Sequence, residues 1–87
     1  MSFDPLPSSV SCVAGRFPGD IQLVIRLAIE SEFFRSICED LTLAVETLRQ
    51  LDKQDPGKDS ATTLEYRALV QELDQEIERV LARHRRL

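Results

Sequence analysis

Two stripes of apolar side chains at helical spacing, one in each half of the chain, are the feature that most constrains how this sequence folds. Both follow the i, i+3, i+4, i+7 pattern that places residues on one face of an α-helix. The sequence therefore predicts two amphipathic helices. The first stripe comprises Phe34, Ile37, Cys38, Leu41, Ala44, Val45, Leu48 and Leu51, and the second comprises Tyr66, Leu69, Val70, Leu73, Ile77, Val80 and Leu81.

A turn signal separates the two stripes. The Pro-Gly pair at 56–57 suits the central positions of a type II turn, because proline fixes φ and glycine accepts a positive φ. Thr62 and Glu65 then match a capping box at the start of the next helix. We expect an antiparallel helical hairpin within a domain of residues 20–87, with helix bounds of about 31–53 and 62–85.

The segment of residues 1–19 has a different composition. It carries Pro5, Pro7, Pro18 and two glycines without a sustained apolar period. Proline and glycine at this density disfavour regular structure. The sequence predicts a flexible N-terminal arm, with a segment that folds on a partner as the alternative.

Residues 21–30 are ambiguous between helix and strand. Apolar residues alternate strictly from Ile21 to Ile29, as they do in a strand, but Ile21, Val24, Ile25 and Ala28 also form a helical stripe. A single strand in a helical chain has no ladder partner except a symmetry mate, and Asp20 is a good N-cap. We therefore favour a short helix and an all-α fold, in which this helix lies over the hairpin.

The length of 87 residues limits the core that one chain can bury. Small domains usually gain stability from disulfides, metals or oligomerisation. Two cysteines 26 positions apart and a single histidine cannot make a zinc site, which needs four ligands. Oligomerisation is the remaining route, so the sequence predicts a homodimer whose four long helices form a bundle around the two stripes.

The formal net charge of −4 disfavours nucleic acid and anionic membranes as partners. The longest apolar stretch, residues 21–29, is too short to span a bilayer and contains Gln22 and Arg26. The N-terminus lacks the basic region of a signal peptide. We expect a soluble cytoplasmic protein.

No arrangement of reactive side chains in the sequence matches a catalytic motif. Cys38 lies on an apolar stripe beside two carboxylates, which disfavours its thiolate. His84 lies among arginines, with no nucleophile or carboxylate at a suitable spacing. The glutamates lack the Glu-x-x-His pairs of di-iron bundles. The sequence predicts neither a cofactor nor enzymatic activity.

The last predicted helix is acidic in its first half and basic in its second. This order complements the helix macrodipole. It also predicts a two-fold antiparallel dimer, because Glu72, Glu76, Arg79 and Arg83 share one face and the acidic half of one copy would meet the basic half of the other. An alternative is a patch that binds RNA or an acidic protein, formed by Arg79, Arg83, Arg85 and Arg86.

Three short strings carry a resemblance to a group of small bacterial proteins. They are FRSICED at 34–40, EYRAL at 65–69 and ELDQEI at 72–77. The resemblance covers residues 31–81 and implies helices without any attached activity. From the stripes, we expect a non-enzymatic interaction or regulatory module that acts by helix pairing, through an exposed helix face or the N-terminal arm. The candidate contact residues, if they lie outside the core, are Phe33, Tyr66 and the arm residues Val10, Cys12, Val13 and Phe17.

Overall fold

The computed structural model describes residues 7–54 and 60–85, and all regular structure in these two ranges is helical. This confirms the all-α prediction and resolves the ambiguity over residues 21–29 in favour of a helix. The predicted turn at 56–57 and Arg86 lie outside the described residues. The helices are α1 at Ser8–Arg16, α2 at Ile21–Glu30, α3 at Glu32–Gln54 and α4 at Ala61–Arg85, with a 3₁₀ turn at Pro18–Asp20.

Ser31 separates α2 from α3, the first helix of the hairpin. Its backbone is extended, with φ of −129° and ψ of 115°, so the helical hydrogen-bond ladder is interrupted there. The Ser31 hydroxyl accepts a hydrogen bond of 3.1 Å from the Phe34 backbone N–H, which caps α3. Ser60 plays the same part for α4 through a 3.2 Å bond from the Thr63 N–H, so the cap lies two residues before the predicted one at Thr62.

The cap at Ser31 gives a direct test of this helix boundary. Ser31→Ala is expected to lower the free energy of unfolding by about 1 kcal/mol, because an N–H of the first turn of α3 loses its acceptor. Ser36→Ala is the matched control, since Ser36 is an exposed residue inside the same helix and alanine favours helix there. Urea titration followed by circular dichroism measures both. Equal stability of the two variants would contradict the cap.

The predicted flexible arm is wrong for residues 8–16, which form α1. Val10, Val13 and Ala14 lie at i, i+3 and i+4 and are buried in the core. Pro7 stands at the N-cap, where its missing N–H costs nothing, and the helix ends at Arg16 before the Pro18–Asp20 turn. Proline therefore bounds this helix and does not interrupt it. Residues 1–6 of the predicted arm lie outside the described part.

Helix α3 lies at the centre of the fold and contacts α1, α2 and α4. Helices α3 and α4 run antiparallel, since Asp52 near the end of α3 faces Arg67 near the start of α4, while Phe33 at the beginning of α3 lies beside Arg83. This arrangement confirms that the two stripe helices pair as a hairpin. The largest fully buried side chains are Phe34, Leu41, Ile77, Leu81, Val13, Val24 and Cys38.

Helices α1 and α2 cover part of the apolar surface that the sequence suggests would need a second chain. Of the predicted stripe, Phe34, Ile37, Leu41, Ile77 and Val80 are buried, Val45, Leu48, Tyr66 and Leu73 are half-buried, and Leu69 is exposed. Apolar surface that a partner could cover therefore remains on one side of the hairpin. Within the described ranges, no helix has both the length and the apolar character required to cross a membrane.

Candidate interaction surface

One side of the hairpin presents large apolar side chains to solvent. Phe33 and Leu43 are each 65% exposed, and Leu69 is 39% exposed. These residues border two adjoining grooves between α3 and α4, and Leu73 lines both grooves. We call this surface the open face. It consists of the groove residues Phe33, Asp40 and Leu43 on α3 and Leu69, Glu72, Leu73, Glu76 and Arg79 on α4, together with Arg83, which lies beside Phe33 at the end near α2.

Helix periodicity places these residues together. On α3, positions 33, 40 and 43 follow one another at about one or two turns, next to the buried positions 37 and 44. On α4, positions 69, 72, 76, 79 and 83 alternate in steps of three and four, which is the spacing of a helix-pairing seam. The chain therefore carries a buried stripe and, beside it, a second row that no described helix covers.

The two grooves differ in polarity. The groove nearer the start of α3 combines Phe33 and Ile37 with charged groups from α4, namely Glu72, Glu76 and Arg79. The other groove is mostly apolar, and its lining includes Leu43, Ala44, Tyr66 and Leu69. The two adjoining grooves together form one surface with an apolar half and a charged half. Protein interfaces likewise combine an apolar core with a polar rim.

The charged side chains of α4 separate into two groups. Asp74 pairs with Arg16 of α1, with an Nε–Oδ1 distance of 2.8 Å. Arg85 donates to Glu78 at 2.8 Å and to Asp20 at 3.0 Å. The hydrogen bond from Arg85 to Asp20 holds the pKa of the Asp20 carboxyl below its ordinary value. This group ties α4 to α1 and to the turn before α2.

The second group of charges lies on the open face. Arg79 donates to Glu76 over 2.7 Å, one turn away on the same helix. Glu72 and Arg83 have no ion-pair partner among residues 7–54 and 60–85. Exposed pairs within one helix contribute little to stability, typically about 0.3–0.5 kcal/mol. The charges on this face are therefore available to a partner at low cost.

The predicted arginine patch is divided in the structure. Arg79 and Arg83 belong to the open face, whereas Arg85 lies on the other side of α4, bound to Asp20 and Glu78. Arg86 lies outside the described residues. The four arginines that the sequence groups together therefore do not form one described surface, and two of the three described ones already have carboxylate partners.

The remaining reactive side chains take structural positions. Cys38 is fully buried, and burial raises the pKa of its thiol to about 11. His84 places Nδ1 3.0 Å from the Val80 carbonyl oxygen. Among the described residues, His, Cys, Asp and Glu side chains form no group of three or more that suits a metal ion.

Sequence reasoning identified part of the open face. Phe33 and Tyr66 were predicted as contact residues if they lie outside the core; the structure exposes Phe33 and half-buries Tyr66. Glu72, Glu76, Arg79 and Arg83 were predicted to share one face of the last helix. Leu43 was missed, because it lies away from the α3 stripe on the side expected to be solvated. The available signal was a leucine whose neighbours at helical spacing, Glu39, Asp40, Glu46 and Thr47, are all polar.

Comparison with protein-family models, with curated protein sequences and with solved structures finds no match to this chain. The resemblance to small bacterial helical proteins stays a prediction, and the open face has to be interpreted from its own geometry.

Proposed function

We propose that this chain is a non-enzymatic module for protein–protein interaction that acts by helix pairing through the open face. The observation that carries the proposal is the set of exposed apolar side chains Phe33, Leu43 and Leu69 along the two adjoining grooves, whose linings come from α3 and α4. Exposed apolar residues are ordinary when scattered, but a set that borders adjoining grooves indicates a surface that a partner covers.

The open face is small for an interface. It extends over residues 33–43 of α3 and 69–83 of α4, about 15 Å and 21 Å of helix, and the two helices side by side are about 20 Å wide. Such a face offers about 400 Å² per protomer, about half the 800 Å² per partner of a standard interface, so we expect a dimer of modest affinity. Covering Phe33 or Leu43 contributes about 1–2 kcal/mol each, because most of either side chain leaves water.

The proposed occupant is a second copy of this chain. The open face carries Glu72 and Glu76 in one half of α4 and Arg79 and Arg83 in the other, so an antiparallel copy matches opposite charges. The product is a homodimer in which α3 and α4 of both protomers form a bundle of four long helices. Both cysteines are free, which suits a reducing compartment, and the proposal places the module in the cytoplasm.

Light scattering on a sizing column, over about a hundredfold range of concentration, tests this function. The expected mass is twice the 9.9 kDa of one chain. Leu43→Lys is expected to give a monomer, because a charge replaces an apolar contact. Leu64→Lys is the matched control, since Leu64 is 51% exposed but borders neither groove of the open face, and this variant should remain a dimer.

A wild-type mass of one chain at every concentration would overturn the homodimer. The alternative function, binding of RNA or an acidic protein by Arg79, Arg83, Arg85 and Arg86, would then be tested by replacing all four with glutamine. The geometry supports this alternative less well, because Arg79 and Arg85 are engaged by carboxylates.

A further inference from the structure

We infer that the open face pairs with a second copy in one defined antiparallel register, with Glu72 and Glu76 opposite the partner's Arg83 and the partner's Arg79, and Phe33 opposite the partner's Leu43. This inference rests on the proposed function and adds to it the register and the contacts that select it. Two separate sets of residues, one on each helix, lead to the same symmetry axis.

The charges on α4 determine where the two-fold axis crosses this helix. In an antiparallel pair related by a two-fold axis, residues at equal distances on either side of the axis face each other. Residues 72 and 83 are equally far from the midpoint between 77 and 78, and so are residues 76 and 79. An axis at this midpoint therefore places each of the four charged residues opposite a residue of opposite charge in the partner.

The apolar residues of α3 define the position of the axis independently. Phe33 and Leu43 are equally far from residue 38, so an axis at that level places each against the other in the partner. The two most exposed apolar side chains of this face then cover each other.

The two levels coincide along the hairpin. Ile37 lines the same groove as Glu76 and Arg79, so residue 38 of α3 and the midpoint between 77 and 78 of α4 lie at about the same height. A single axis perpendicular to both helices therefore satisfies the charge pairs and the apolar pair together. Nothing in the packing of one chain requires this agreement.

The charge order also rejects neighbouring registers. A shift of one heptad in one direction sets Glu72 against the partner's Glu76, and a shift in the other direction sets Arg79 against the partner's Arg83. Like charges across a helix seam are unfavourable and direct pairing to a different alignment. The pattern thus specifies one register by excluding the two adjacent ones.

Two variants with reversed charge test the register. The variant E72K/E76K makes all four positions basic, and R79E/R83E makes them all acidic. Each variant alone is expected to dimerise about a hundredfold more weakly than wild type, because four attractive contacts become repulsive. An equimolar mixture should form a heterodimer, which native mass spectrometry distinguishes from either homodimer by mass.

The control is E39K/E46K, which makes the same change in net charge as E72K/E76K but at exposed positions of α3 outside the open face. It should dimerise as wild type does. If the two reversed variants still form homodimers with wild-type affinity, or if their mixture does not associate, the register is overturned. If the reversed variants dimerise as wild type does, the register is wrong but the proposed interaction function still stands. If wild type itself is a monomer, both the register and the proposed homodimer are wrong.

A cross-link keeps the test decisive if a reversed variant fails to fold. The variant F33C/L43C in a C12S background should form a covalent dimer with oxidised glutathione. The two new thiols cannot bond within one chain, because ten residues of helix separate them by about 15 Å. The variant L64C in the same background is the control and should stay monomeric in denaturing electrophoresis. Absence of a cross-linked dimer from F33C/L43C contradicts the register.

Discussion

Phe34→Ala is expected to lower the free energy of unfolding by about 3–5 kcal/mol, because it removes a large side chain from a core that cannot close around the space. Phe34 is 1% exposed and belongs to the same cluster as Leu41 and Ile77. Small domains have a total stability of about 5–15 kcal/mol, and one of this length belongs near the lower end. Urea unfolding followed by circular dichroism, in dilute solution, measures the loss.

The adjacent residue provides the control. Phe33→Ala makes the same chemical change one position away, where the side chain is 65% exposed, and it should alter the stability of the monomer by less than about 0.5 kcal/mol. Its effect should appear instead as weaker dimerisation. If the two variants lose equal stability in dilute solution, the assignment of one phenylalanine to the core and the other to the open face is wrong.

This pair shows how far the sequence predicts the fold. The stripe that includes Phe34 has a clear helical period, and the structure buries it. Phe33 is as apolar as its neighbour, and only its position about 100° away around the helix distinguishes it. Period alone assigned Phe33 outside the stripe, but whether another helix covers that side depends on tertiary packing.

The N-terminal helix shows why the prediction failed at that end. Val10, Val13 and Ala14 have the spacing of a helix face, yet they span little more than one turn and lie between Pro7 and Pro18. An apolar period over so short a segment is weak evidence for a helix, and such a helix has little stability in isolation. It forms because α3 offers a surface on which Val10 and Val13 become buried.

The candidate surface could be predicted only in part for a similar reason. The charge pattern of Glu72, Glu76, Arg79 and Arg83 was visible, since helical spacing fixes which residues share a face. The separation of Arg85 from Arg83 also follows from their spacing, but its engagement with Asp20 does not. That contact joins residues 65 positions apart and exists only because α2 begins near the end of α4.

Val13→Asp tests whether α1 is part of the folded domain, and a loss of about 3–5 kcal/mol is expected. Val13 is 0% exposed, so the new carboxylate would be buried without a partner. Ser11→Asp is the matched control, because it adds the same charge at an exposed position of the same helix and should change stability by less than about 0.5 kcal/mol. A flexible arm would tolerate both changes equally.

The reactivity of the Cys38 thiol shows whether Val13→Asp releases α1 from α3. Helix α1 packs on the side of α3 that carries Cys38 and Thr42, with the Ser9 carbonyl oxygen 3.4 Å from the Thr42 hydroxyl. In wild type, burial protects Cys38 and keeps its pKa near 11, so a thiol reagent at pH 8 should modify only the half-buried Cys12. In Val13→Asp, release of α1 should let Cys38 react as well, at a urea concentration where α3 and α4 remain helical. Continued protection of Cys38 there would show that α1 does not cover it.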